Sequence, residues 1–491
     1  MNIVVLGAGT AGLITALMIR EKYPLANITV VKSGELGIVG VGEGSTEHWM
    51  SFMNFVGIDV LELLYETKAT VKIGILFKNW SSGPDYVHSV MTSSLSGLGR
   101  HETFNYLHLN KDVKNYPLAL GFKDTYHNNR VHIFQDSKPS NQFHFDTFKL
   151  NDYLVKKCIT RNISFIDTIV TDVLLDSNGN VQYLITEKNN IPGDLFIDCS
   201  GFKRVLSKKI DNNWVSKAKY LPLNTAIAFP TDLDDPLEIE PYTTSTALSA
   251  GWSWKIPTQD RYGNGYVFDS NYINADNALA EINQVLGKNV EKAAREIKFE
   301  AGKIDKFWKK NVVSVGLSGS FAEPLEAQSI GFTIIQAQRL LACLDVWPYN
   351  KKISEKYNYE MDEVFDNVID YLQLHYLGDR CDTKFWKDKP FELTDFIKDN
   401  MPLFKRGIFD PSLNKNMPMF KISNYYQVLA GLNLIDKVLL QESWNNNRAS
   451  YNIKSISFAE EQVKNMAEIP TYTHQEYIKI SRDNYFIKRY I

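Results

Sequence analysis

The chain has 491 residues, enough to bury a large core and to form more than one structural unit. Its net charge of −3, with no dense basic run, argues against nucleic acid as the main partner. No apolar run approaches the roughly 20 residues of a membrane helix, and a strand pattern opens the chain where a signal peptide would lie, so a soluble, cytoplasmic protein is expected.

The first predicted element is Asn2-Ile-Val-Val-Leu6, a short apolar run ending in Gly7, which is the pattern of a buried parallel strand. Apolar residues at helical spacing (Leu13, Ala16, Leu17, Ile19) predict a helix over Thr10 to Tyr23, and Ile28 to Val31 reads as a second strand. Gly7-Ala-Gly-Thr-Ala-Gly12 therefore sits in the strand–helix–strand setting that gives G-x-G-x-x-G its meaning. Gly7 permits a tight turn, Gly9 lets backbone approach a pyrophosphate, and Gly12 lets helix pack on strand. The helix start at Thr10 and Ala11 would turn its N–H groups toward the phosphates. Lys32 stands where an acidic residue usually holds the ribose. Glu35 or Ser33 could substitute, or Lys32 could favour a phosphate.

Gly40-Val-Gly-Glu-Gly-Ser45 reads as a glycine loop, either against a ligand or as a plain turn. Ala69 to Trp80 reads as one strand whose alternation is broken by Lys72, and a strand lysine is ordinarily a solvated edge residue. Turns at Ser81-Ser-Gly-Pro84 and Ser137-Lys-Pro-Ser140 bound an insertion of about 85–140. Asp194 to Gly201 is an apolar strand ending in a small turn. Trp252 and Trp254 lie two apart on a strand over Gly251 to Pro257 and so share one face, as two core tryptophans also would. Val312 to Glu326 runs from a strand into a glycine and serine turn, with a helix opening near Ile330. From about 350 the pattern is helical, as in Ile353 to Leu377 and Phe458 to Ala467. The four cysteines (Cys158, Cys199, Cys343, Cys381) form no C-x-x-C pair, the histidines show no ligand spacing, and no metal is expected.

Several of these segments together resemble the flavin-dependent tryptophan halogenases. They are the loop at 7–12, G-V-G-E-G-S at 40–45, K-x-G-I-x-F-x-N-W at 72–80, W-x-W-x-I-P at 252–257, E-P-L-E at 323–326 and N-Y-Y…A-G-L at 424–432. The similarity covers nearly the whole chain, strongest over 1–80 and 190–335 and weakest over 90–140 and after 380. It implies an α/β fold: an FAD-binding, Rossmann-like module of the flavin monooxygenase type with a mixed sheet, at 1–345, and a mainly helical part at 346–491 capping the substrate pocket. Abundant Lys, Asn, Ile and Tyr suit an AT-rich genome, such as that of a phage or marine microbe, and a divergent member.

The resemblance also implies roles. FAD would be held by the 7–12 loop, by Gly40, Gly42, Glu43 and Gly44, by Asp198 and Gly201, and by Gly316 and Leu317. It would arrive as FADH2 from a separate flavin reductase, since no second dinucleotide motif is present. Reduced flavin, oxygen and chloride, bromide or iodide would give hypohalous acid. Lys72 would hydrogen-bond that acid or capture the halogen as an N–halo amine, which requires a neutral amine and hence burial. Glu326 would orient the halogenating species or accept the ring proton. Trp252, Trp254 and Pro257 would line the flavin side.

Departures from the family pattern are equally specific. Gln328 and Ser329 replace the threonine and glycine that bind halide, which points to a preference for bromide or iodide. His88 matches the histidine that stacks on indole, either as a pocket wall or as a satisfied histidine. Val90 replaces a phenylalanine, and Phe420 replaces the sandwiching tryptophan before Asn424. An electron-rich arene other than free tryptophan is therefore the expected substrate; oligomeric state stays open. Two alternatives stand beside this reading: an aromatic monooxygenase on the same fold, and a non-catalytic flavin or nucleotide sensor.

Overall fold

The computed structural model describes residues 1–35, 40, 42–89, 101–111, 123–132, 142–290, 295–346, 350–410, 419–447, 457, 460–461, 464 and 468–490. The chain forms two compact units. One comprises Met1–Thr67, Phe145–Lys217 and Glu300–Phe365; the other comprises Lys68–His144, Ala218–Phe299 and Asp366–Ile491. The segment 1–345 is thus shared between both units.

The first unit is built on a six-stranded sheet in the order Trp308–Lys309, Val312–Ser314, Leu195–Asp198, Asn2–Leu6, Asn27–Lys32, Ser164–Asp167. All neighbours are parallel except the first pair. Parallel strands are covered on both faces, so their sequences are continuously apolar: Ile3, Val5, Val30, Val31, Phe196 and Ile197 are fully buried. The helix Thr10–Lys22 follows the first strand, as the sequence predicts, and packs against the helices Gln328–Leu344 and Thr147–Thr160. The Gln328–Leu344 helix starts two residues before the expected Ile330. A three-stranded meander, Val170–Leu175, Val181–Thr186 and Asn190–Pro192, closes a core of Val4, Phe196, Leu184 and Val312.

The second unit contains a seven-stranded sheet in the order Arg295–Lys298, Thr225–Thr231, Tyr262–Phe268, Gly251–Pro257, Tyr242–Leu248, Gly74–Lys78, Tyr86–Ser89. Only Tyr242–Leu248 and Gly74–Lys78 run parallel to each other. The register sorts its two faces, because residues opposite one another share a side. One face carries Ile227, Phe229, Leu248, Tyr266 and Phe268, buried under the helix Ala275–Leu286 through Ala278 and Ile282. The other carries Phe77, Tyr86, His88, Thr243, Ser245, Trp252, Trp254 and Gly265.

The strand expected over Ala69 to Trp80 is two strands, Thr70–Lys72 and Gly74–Lys78. The chain changes partner between them. Thr70–Lys72 pairs antiparallel with Gln142–His144, the Ile73 N–H donates to the Pro241 carbonyl, and Gly74–Lys78 then joins the larger sheet. The expected helix at Ile353 to Leu377 is found as Lys351–Leu374 continued by a tighter turn, His375–Leu377. Further helices are Asp395–Phe404, Ile422–Gly431, Lys437–Asn447 and His474–Tyr490. Phe458 to Ala467 lies mostly outside the described residues.

Candidate active site

The first unit gathers three of the segments assigned to the nucleotide. Gly7, at φ +113°, lies so close to Cys199 that any side chain would strike the Cys199 carbonyl, and a methyl at Gly12 would strike the Gly7 carbonyl. Gly316, at φ +66°, abuts Ala11, with a methyl there 2.7 Å from the Ala11 Cβ. The 7–12 loop, the Cys199–Gly201 turn and the Gly316–Ser318 turn carrying half-buried Leu317 therefore meet at the ends of their strands.

These residues fit a dinucleotide. Gly9 has an ordinary backbone (φ −72°), yet a methyl on it would meet nothing within 4 Å, so the loop leaves open space at this point. The helix Thr10–Lys22 has no side-chain cap and no acidic residue in its first turn, which leaves its leading N–H groups for an anion. Glu43 reaches Thr10 with one hydrogen bond, while its Oε2 is shielded from solvent and has no partner. Burial pushes the Glu43 carboxyl up to about 7, against the smaller opposing effect of Thr10. Gly40 lies against Thr147, and Gly44 is buried.

Asp198 is engaged on both carboxylate oxygens. Its Oδ1 accepts from the Ser200 N–H (3.0 Å) and hydroxyl (2.6 Å), and its Oδ2 from the Leu206 N–H (3.0 Å), the Ser207 N–H (2.8 Å) and the Ser207 hydroxyl (2.6 Å). Five donors occupy both oxygens, so the carboxylate fixes its own turn and the start of the helix Val205–Ile210. Lys32 pairs with Asp167, 3.7 Å away at the end of the neighbouring strand, and Asp167 also accepts from the Gly34 N–H at 3.1 Å. A carboxylate from the next strand thus stands beside Lys32. No motif could have shown this, because strand neighbours 135 positions apart (Lys32 and Asp167) become adjacent only in the sheet.

In the E-P-L-E segment, Glu323 and Glu326 are buried and Pro324 is exposed. The turn is completed by Ala327 in the left-handed region (φ 53°), a costly conformation for a residue with a side chain. The Gln328 amide turns its donor back onto its own loop. Its Nε2 donates to the Glu323 carbonyl at 2.7 Å, while the Oε1 acceptor is buried without a partner. Ser329 is exposed, its carbonyl accepting from Thr333. The donors at this helix start are backbone N–H groups, with no side chain capping them.

In the second unit Lys72 is 1% exposed, not a solvated edge lysine. It shares a strand face with Thr70, and across the ladder with Gln142 and His144. His144 is fully buried, its Nδ1 3.1 Å from the Thr70 hydroxyl and its Nε2 2.9 Å from the Thr243 hydroxyl. Burial, then the Lys72 charge, hold the His144 imidazole well below its usual range, so it is neutral. The Thr70 hydroxyl donates to the Pro257 carbonyl at 2.7 Å, tying the lysine strand to the last residue of the tryptophan motif. Trp252 is buried and Trp254 half-buried, their rings 6.0 Å apart, and the Trp254 ring lies over the backbone of Gly265, where no side chain would fit.

The residues expected around the arene also come together. His88 is buried; its Nε2 accepts from Asn424 Nδ2 at 3.0 Å, and the Asn424 Oδ1 accepts from the Lys421 N–H. Tyr371, which no motif in the sequence marks, stands beside His88 and Phe420. Its hydroxyl is 3.3 Å from either nitrogen of His88, and its ring stacks on Phe420 at 4.0 Å. Helical spacing alone cannot tell such a tyrosine from its core neighbours. Val90 lies outside the described residues. Among the described residues no three His, Cys, Asp or Glu could hold a metal, and no helix is long and apolar enough to cross a membrane.

Comparison with known proteins finds halogenases among the chain's relatives. The sequence profile described as tryptophan halogenase matches residues 2–442. Tryptophan 6-halogenase ThaL of Streptomyces albogriseolus is 29% identical, over 87% of this chain and 85% of its own. Tryptophan 7-halogenase RebH of Lentzea aerocolonigenes is 28% identical, over 88% and 90%. The solved structure of Xcc4156, a flavin-dependent halogenase from Xanthomonas campestris, superposes with a TM-score of 0.85 at 25% identity, covering 98% of each chain. With the profile matching nearly nine-tenths of its length, the chain belongs to the tryptophan halogenase family.

Proposed function

We propose that this enzyme halogenates an electron-rich aromatic ring other than free tryptophan, with Lys72 directing the halogen. Family membership makes the chain a flavin-dependent halogenase that takes FADH2 from a separate reductase and halide as co-substrate. When bound, the reduced flavin supplies hypohalous acid from oxygen and halide. The 7–12 loop and the helix start at Thr10 bind the pyrophosphate, and the Glu43 carboxyl borders the same helix start.

The observation that carries the lysine reading is the burial of Lys72 on a polar strand face beside a neutral histidine. A solvated lysine would hold water, whereas a buried one can hold a small polar oxidant in place. Lys72 hydrogen-bonds the hypohalous acid. The ring carbon takes the halogen as the oxygen–halogen bond breaks, and the departing hydroxide is protonated to water. Glu326 accepts the ring proton.

The halide is held by backbone N–H groups at Gln328 and Ser329. With the Gln328 donor engaged by its own loop, fewer hydrogen bonds replace the hydration shell. Bromide and iodide shed water more readily than chloride and are favoured. The arene side supports a substrate other than tryptophan, because Phe420 already has one face covered by Tyr371 and His88 is engaged by Asn424.

The test is mass spectrometry on phenols, indoles and other electron-rich arenes with FAD, reductase, NADH and each halide in turn. Wild-type enzyme should give halogenated product, with bromide or iodide outcompeting chloride. Lys72→Ala should lower product formation by about a hundredfold or more without loss of FAD binding. Oxygenated product formed without halide would instead favour the monooxygenase reading.

A further inference from the structure

We infer that His474, together with His144, positions Lys72. His474 grips the unpaired edge of the lysine strand and His144 its polar face, both as neutral imidazoles. The inference rests on the reading of Lys72 as the residue that receives the hypohalous acid.

The strand Thr70–Lys72 lies at the edge of its sheet, so an unpaired N–H would be expected on its outer side. Instead, the Val71 N–H donates to His474 Nε2 at 2.9 Å, across 403 residues of sequence. His474 is 1% exposed, and its Nδ1 lies 3.2 Å from the Ile239 carbonyl. A nitrogen that accepts from an amide carries no proton, and one that faces a carbonyl must donate. His474 is therefore the Nδ1–H tautomer and neutral.

The same reasoning fixes His144. The one proton of the Thr70 hydroxyl goes to the Pro257 carbonyl, so this hydroxyl accepts from His144 Nδ1. His144 Nε2 then accepts from the Thr243 hydroxyl. Two cationic imidazoles beside an ammonium would repel it; two neutral ones fix its strand without adding charge.

The C-terminal segment is built to present His474. Thr471–Thr473 pairs antiparallel with Arg130–His132, and Arg130 clamps Thr471 through its hydroxyl (2.8 Å) and carbonyl (2.7 Å). Thr473 and Glu476 then form a reciprocal cap: the Glu476 N–H donates to the Thr473 hydroxyl at 3.2 Å, and the Thr473 N–H to Glu476 Oε2 at 2.8 Å. His474 is the first residue of the helix so capped. The family match ends at residue 442, so this grip comes from sequence beyond it.

The test compares His474→Ala with His474→Gln in the full-length, FAD-loaded enzyme with its reductase. Glutamine can accept from Val71 and donate to the Ile239 carbonyl, as the imidazole does. His474→Ala should speed hydrogen exchange at Val71 at least about tenfold. It should also lower kcat by about ten- to a hundredfold, with arene KM and FAD binding little changed. His474→Gln should restore both exchange and kcat.

Fast exchange with wild-type kcat in His474→Ala would overturn the positioning role, and unchanged exchange would overturn the grip itself. Should His474→Ala not fold, nitrogen NMR of the wild-type enzyme decides. At pH 7 the His474 ring must be protonated at Nδ1 alone, and protonation at Nε2 overturns the inference. Lys72→Ala, assayed alongside, separates the two ideas. Wild-type halogenation by that variant would refute the lysine reading and the positioning role with it, while Val71 exchange would still report the grip.

Discussion

At the scale of single residues, the nucleotide loop makes opposite demands on two glycines. Gly12 has no room for a methyl, since the Gly7 carbonyl occupies that space, whereas Gly9 has ample room and a backbone any residue could adopt. Gly12→Ala should therefore lower both the melting temperature and FAD affinity. Gly9→Ala should leave the melting temperature of the flavin-free protein within about 2 °C, as expected where no contact is disturbed. It should weaken FAD binding at least about tenfold, measured by fluorescence titration, because the methyl fills the space the phosphates need. Asp198 is a different case. Asp198→Asn puts an amide donor against N–H and O–H donors that now meet carboxylate oxygens, and should cost about 2–4 kcal/mol in urea denaturation. The sequence placed Asp198 near the nucleotide through its motif, but which donors surround its oxygens depends on how the turn folds back.

At the scale of elements, what was legible was periodicity. Asn2–Leu6, Thr10–Lys22 and Gly251–Pro257 lie where apolar spacing and motif placed them. The break at Ile73 was not legible, since the run from Ala69 to Trp80 is continuous in β character and only the partners change. Helix ends offer a control. Asn274 caps the helix Ala275–Leu286 by accepting from the Asn277 N–H at 2.9 Å, on the sheet face away from the tryptophan motif. Asn274→Ala should cost about 1 kcal/mol in thermal or urea unfolding and leave kcat unchanged.

At the scale of the whole molecule, buried titrating groups set how stability depends on pH. His474 is held down to about 4 by burial, and His144 is lowered as well. Both stay neutral in the folded protein while the unfolded chain takes up protons below about pH 6.5. Their contribution is complete above pH 6.5 and is lost as the pH falls, for His474 toward about 4. For His474 alone the loss by pH 5 is roughly 2 kcal/mol. Glu43 acts in the opposite sense. Its carboxyl, raised to about 7, keeps its proton in the folded state, so its contribution is complete below pH 4.5 and is lost as pH rises through 7. The melting temperature should be lower at pH 5 than at pH 7. Glu43→Gln should steepen that dependence by removing the opposing group, which differential scanning calorimetry across this range would detect.

The sequence by itself determined the nucleotide loop, the strands and helix around it, the tryptophan motif and the position of the lysine. Each rests on residues close together in the chain, where local sterics and apolar spacing act directly. Tertiary structure alone decided what those residues touch. It made Lys72 a buried residue and turned the Gln328 donor back onto its own loop. It set Asp167 beside Lys32 and brought His474 to Val71 from the far end of the chain. Hydrogen bonds and burial between distant segments depend on where strands pair and helices dock, which no short window of sequence contains.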